Sequence, residues 1–195
     1  RSPQCSFYAR DAGWTVISWC AAYEATSNPW YLEAARLMVD RMLQRQHPVS
    51  GALGSHMLDP SECKHRPQHY GPKPFMTGVM MRGLRAYDQI EPREDVKRAI
   101  VRCADWMWNE AWVPADRGFW YSACPTFTSK GNTWTFSLVG DGLAYACLID
   151  KEHRARRRDL LLTSCGAHLY EAGRSGFGKS FTQMTCCTLH ALEWM

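Results

Sequence analysis

No apolar run in the chain reaches the roughly 18 residues that a membrane-spanning helix needs. No Cys-x-x-Cys pair occurs, so neither a tight disulfide framework nor a paired-knuckle metal site is read. Strand signals are scarce. The net charge of +4 is too small to imply nucleic acid by itself.

What is present is apolar and aromatic. Apolar residues make up 46% of the 195, enough for one core. There are nine tryptophans, most of them expected in the core, the rest suited to gripping flat apolar faces such as sugar rings. There are also nine cysteines, an odd number. Cys20, Cys103, Cys147, Cys165, Cys186 and Cys187 fall inside helical patterns, where free cysteine acts as a small hydrophobe. Unpaired cysteines favour a reducing, cytoplasmic compartment and leave secretion or a periplasm open.

Helical periodicity runs almost throughout. Helices are expected over about 12–26, 29–46, 74–90, 133–149 and 153–172, from Pro92 with an apolar stripe through Met107, and from 181 onward. Asn28 followed by Pro29 is a cap and first-turn signal. Glu94 and Asp95 suit the positive end of a helix after Pro92. An Ala-Tyr pair recurs near three helix ends, with Tyr23, Tyr87 and Tyr145 spaced 64 and 58 residues apart. A repeat of helix pairs means stacked hairpins. The first, third and fifth helices are the more apolar, so they are expected to form an inner layer, with the charged ones outside. The basic run Arg154–Arg158 then reads as a solvated outer face. Aligning the tyrosines puts Asp141 level with Arg82 on the neighbouring inner helix, which predicts an ion pair across the inner wall.

Inner-to-outer links are short, whereas the outer-to-inner links 47–73, 114–132 and 173–180 are long. Long connections in compact domains usually carry function. Stacking gathers them on one face, at the N-termini of the inner helices. That arrangement, with the local text "RDAGW" (10–14), "NPWYLEAARLMVDRMLQRQ" (28–46) and the Ala-Tyr helix ends, resembles the six-hairpin glycosidase-like superfamily, the (α/α) toroids. The resemblance implies an all-α single domain over 1–195, with stacked antiparallel hairpins forming part of an (α/α) toroid. It also implies a glycan site in a funnel at the inner-helix N-termini. Three and a half hairpins are half a ring, so the remainder is expected from a longer chain or another subunit.

The long loops interleave aromatic and basic residues, a pattern suited to an acidic oligo- or polysaccharide through stacking and charge-assisted hydrogen bonds. Trp14, Lys73, Trp120, Tyr121, Trp134 and Lys179 are the expected substrate-binding residues. Glycoside hydrolysis needs two carboxylates. Asp11, Asp59, Glu62 and Asp116 lie on this face; Asp11, just ahead of the first inner helix, and Asp116 are the catalytic candidates, and no sequence pairing singles out two of the four. Polysaccharide elimination needs a base and a cation for the uronate carboxylate, roles that His69, Tyr70, Lys73 and Tyr121 suit. A glycoside hydrolase-like enzyme is the leading expectation. A lyase and a non-catalytic α-solenoid binding module are the alternatives. Neither nucleic acid nor a membrane is expected as partner.

Two further motifs are set aside. Gly173 to Ser180 matches the spacing of a phosphate loop, but a helix precedes it rather than a strand, so no nucleotide is expected. His56, Cys63, His65 and His69 are competent zinc ligands. Cys-x-His-x3-His is not a standard structural spacing, and no second cluster accompanies it. No metal or other cofactor is therefore expected, and Cys63 and His65 are read as loop packing.

Overall fold

The computed structural model describes residues 9–175, and that span is all-α apart from two short hairpins. The helices are α1 (Ala9–Thr26), α2 (Pro29–Gln44), α3 (Pro74–Ile90), α4 (Glu94–Trp106), α5 (Pro125–Thr128), α6 (Phe136–Ile149) and α7 (Arg154–Ser175). The long loop after α2 pairs β1 (His56–Met57) with β2 (Tyr70–Gly71). The loop after α4 pairs β3 (Trp112–Val113) with β4 (Gly118–Phe119), again antiparallel. The helix expected from residue 181 lies outside the described residues. Among the described residues no helix is long and apolar enough to cross a membrane.

Local chemistry explains the helix ends. The Asn28 side chain accepts the Trp30 N–H at 3.0 Å, and Pro29 follows at the first helical position, so α2 starts where expected. α4 starts at Glu94, later than Pro92 suggests. Arg93 is extended there, and its N–H is taken by Asp88 Oδ1 at 2.7 Å. α1 starts earlier than expected, at Ala9, so Asp11 falls inside the first turn rather than ahead of it.

α1, α3 and α6 pack side by side, and α2, α4 and α7 flank them. α3 and α6 are buried almost all round, from Phe75 to Leu84 and from Phe136 to Cys147 apart from Arg82. α4 is one-sided: Val96, Ala99, Ile100 and Cys103 face in, and Glu94, Asp95 and Arg98 face out. The outer face is less simply solvated than the basic run suggested. Arg157 is 3% exposed and pairs with Asp105 at 2.8 Å and Asp150 at 2.6 Å, while Arg154 donates to the Cys147 and Leu148 carbonyls. A guanidinium has enough donors to tie several acceptors at once, so these arginines fasten α7 to its neighbours.

At the short-turn end the repeated tyrosines are anchors. Tyr87 donates to Glu91 Oε1 at 2.8 Å, and Arg36 of α2 grips the same carboxylate through two nitrogens. Those bonds, those from Arg36 foremost, hold the Glu91 carboxyl below the usual glutamate range. Tyr145 donates to Asp88 Oδ2 at 2.7 Å, joining α6 to α3.

The inner helices touch backbone to backbone. A Cβ on Gly13 would lie 2.4 Å from the Val79 carbonyl oxygen, and one on Gly78 would lie 2.5 Å from that of Leu138. Alanine normally improves a helix interior by about 1 kcal/mol over glycine. At Gly78 the sign is expected to reverse, with a net loss of about 1–3 kcal/mol from overpacking against an unyielding carbonyl. Gly166→Ala in α7, where a Cβ meets nothing within 4 Å, is expected to stabilise instead. Paired urea melts of the two variants read the opposite signs, and stabilisation at both sites would refute the close approach.

Candidate functional site

A cleft of about 500 Å³ opens where the first turns of α1, α3 and α6 meet. Arg10 and Trp14 come from α1, Phe75 and Met76 from α3, Trp134 from the short 3-10 turn Thr133–Thr135 that leads into α6, and Leu138 from α6 itself. The two long loops add Glu62, Lys73 and Tyr121. The gathering of these N-termini at one end shows that the three helices run in the same direction.

Phe75, Tyr121 and Trp134 form one aromatic wall. Phe75 stacks on Tyr121 with centroids 5.3 Å apart and leans on Trp134 at 5.7 Å. Trp134 and Trp14 are 37% and 38% exposed, which leaves ring surface for a ligand. Behind Trp14 lies the Arg82 guanidinium, 5.7 Å from the ring centroid. Arg82 also pairs with buried Asp141 at 3.0 Å, the ion pair expected across the inner wall. Arg85, one turn further on, pairs with the other carboxylate oxygen at 3.0 Å.

The polar floor is Glu62. Its Oε2 pairs with Lys73 Nζ at 2.5 Å, and its Oε1 accepts the Tyr121 hydroxyl at 3.3 Å. Lys73 is 5% exposed and sits extended just ahead of Pro74, which starts α3. Asp59 sets up this arrangement: it accepts Ser61 N–H and Oγ–H on its side chain, and Glu62 and Cys63 N–H on its carbonyl. Burial, then the Glu62 charge, pushes the Tyr121 phenol above its ordinary value.

The expected site residues divide. Trp14, Lys73, Tyr121 and Trp134 line the cleft together. Trp120 does not: it is 6% exposed, donates to the Glu110 carbonyl and meets Trp106 edge-on, so it is core. Phe119 is buried as well. Asp11 is exposed beside Arg10 and does not line the cleft. Asp116 sits in the β3–β4 turn and ties it to the loop ahead of α6, accepting Gly131 N–H at 2.7 Å. Tyr70 is 65% exposed and donates to the Ser55 carbonyl. Lys179 lies outside the described residues. Glu62, one of four carboxylates placed on this face by the sequence, proves to be the one lining the cleft among the described residues.

His69 belongs to a second cluster, built from both loops. Cys63 Sγ lies 3.2 Å from His69 Nδ1 and 3.6 Å from His65 Nδ1, and Cys124 Sγ lies 3.5 Å from the same His65 nitrogen. The four donor atoms fall within 4.8 Å of one another. Both sulfurs are buried, packed with Leu58 and Phe127. The Cys63 thiol is held down at about 6, first by the His69 backbone N–H and further by the two imidazoles, which together outweigh burial. Cys63 and His65 are thus more than loop packing: their own stretch supplies three donors of this set at a non-standard spacing, and His56 is not among the four. Cys124, 55 residues beyond His69, supplies the fourth.

No protein family, curated protein or solved structure matches the chain.

Proposed function

We propose that the chain carries the substrate cleft of a carbohydrate-active enzyme acting on an acidic glycan, within part of an (α/α) toroid. The observation that carries this reading is the cleft itself: two exposed tryptophans and an aromatic wall stand around Arg10, Lys73 and one carboxylate, at the N-terminal ends of three helices. Aromatic faces take the C–H face of a pyranose, and the cations take its carboxylate or sulfate.

The number of carboxylates favours elimination over hydrolysis. Hydrolysis through Glu62 as acid needs a second carboxylate across the bond. The described part of the cleft supplies only Glu62. Elimination needs a group to hold the uronate carboxylate, a base for the proton beside it and an acid for the departing oxygen. Arg10 and Lys73 suit the first role, Glu62 the second and the Tyr121 hydroxyl, which donates to Glu62, the third. The C–H electron pair becomes the new double bond as the glycosidic C–O bond breaks, and Tyr121 protonates the leaving oxygen. A panel of uronate-containing and neutral glycans tests this with two readouts. Ultraviolet absorbance from unsaturated uronate is expected on the acidic members. New reducing ends without that absorbance would replace elimination with hydrolysis, and silence on both readouts would sink the enzyme reading.

A further inference from the structure

We infer that Cys63, His65, His69 and Cys124 form a closed, four-ligand structural zinc site that staples the two long loops together beside the cleft. The inference rests on side-chain geometry and is independent of the glycan reading. Two thiols and two imidazoles, with no carboxylate or open position among them, are a donor set of borderline softness that suits zinc in a tetrahedron. With Zn–S of about 2.3 Å and Zn–N of about 2.0–2.1 Å, the sulfur-to-nitrogen edge of such a tetrahedron is about 3.6 Å. Three of the four sulfur-to-nitrogen separations here are 3.2, 3.5 and 3.6 Å.

Hydrogen bonding alone accounts poorly for this pattern. A neutral imidazole nitrogen has one in-plane lone pair. Yet His65 Nδ1 faces both sulfurs, at 3.5 and 3.6 Å, and Cys63 Sγ faces both rings. Mutual convergence of four donors on one point is what a central cation requires. The surroundings also fit: the His69 backbone N–H points at Cys63 Sγ at 3.4 Å, a contact that supports a metal-bound thiolate.

Position gives the staple its purpose. Cys63 follows Glu62, and Cys124 lies three residues after Tyr121, so the metal would bridge the same two loops that the Tyr121–Glu62 bond joins. The loops already meet closely at Gly71, where a Cβ would lie 2.4 Å from that of Ala123. Because the ligands come from residues 63–124 and meet only in the folded chain, metal binding would add directly to folding stability.

Metal analysis of the chain, purified under reducing conditions from zinc-supplemented cells, should find about one zinc per molecule. The apo chain titrated with Co²⁺ should develop thiolate-to-cobalt charge-transfer and tetrahedral d–d bands that zinc then abolishes. Cys124→Ser and the exposed-ligand variant His65→Ala should each lose most of the bound metal. His56→Ala, a histidine of the same loop whose ring meets the Gly54 carbonyl, should keep it. Metal removal should speed proteolysis within 56–73. A metal-free chain giving no cobalt bands would overturn the site, as would a Cys63–Cys124 disulfide in the fresh protein. Retention of the full thiolate band by Cys124→Ser would do the same. If Cys124→Ser fails to fold, His65→Ala and the wild-type titration decide the question.

Discussion

Asp141→Ala is expected to destabilise the protein by about 3–5 kcal/mol, the usual cost of orphaning one partner of a buried ion pair. The Asp141 side chain is fully buried, and it lies 3.0 Å from Arg82 Nε on one oxygen and 3.0 Å from Arg85 Nε on the other. The two guanidinium side chains are 16% and 11% exposed, so neither can turn fully to water once the carboxylate is gone. Removing the aspartate alone therefore leaves two like charges against each other in a poorly solvated wall. Urea unfolding at neutral pH reads the loss, with an unchanged slope confirming two-state behaviour. A triple variant, Asp141→Leu with Arg82→Met and Arg85→Met, should recover most of it, because the charges leave together. A loss below about 1 kcal/mol for the single variant would mean that the wall admits water freely. The same substitution reaches the cleft: Arg82 also lies over Trp14, so tryptophan emission should shift even where the fold survives.

That ion pair was legible in the sequence, and the reason is geometric. Tyr87 and Tyr145 mark equivalent heights on two helices, and helical phase carries the register back from them to Arg82 and Asp141. Arg85 went unread because it lies one turn along the same face, where spacing alone does not say which arginine reaches across. The cleft was legible by the same logic, since loop lengths placed the long connections at one end of the inner helices. Which loop side chains enter the cleft was not. Trp120 and Tyr121 are neighbours of similar character, yet Trp120 packs into the core and Tyr121 faces Glu62. Their choice is set by the pairing of Trp120 N–H with the Ala111 carbonyl, a tertiary contact without a local signal. Cys124 was hidden for the related reason that its partners lie in another loop. Donor spacing within one stretch is informative only when that stretch supplies the whole set.

Glu62→Gln is expected to lower turnover on an acidic glycan by about 10²–10⁴-fold with little change in KM, provided Glu62 is the base of the proposed elimination. The amide keeps the shape and can still accept from Tyr121, but it can no longer take a proton. In the proposed site, binding would fall mainly to Trp14, Trp134, Arg10 and Lys73, which line the cleft, so affinity should survive. Lys73→Met separates the roles. It removes the cation opposite Glu62, 2.5 Å away, and should raise KM for uronate glycans more than for neutral ones. Tyr121→Phe leaves the stacking on Phe75 intact while deleting the donor, so it should lower kcat with the aromatic wall in place. The three variants thus predict three different kinetic signatures from one cluster. Equal losses in kcat and binding for all three would point to a collapsed floor rather than to chemistry. An unchanged kcat for Glu62→Gln would remove Glu62 as the base and leave the cleft as a binding surface with its catalysis elsewhere.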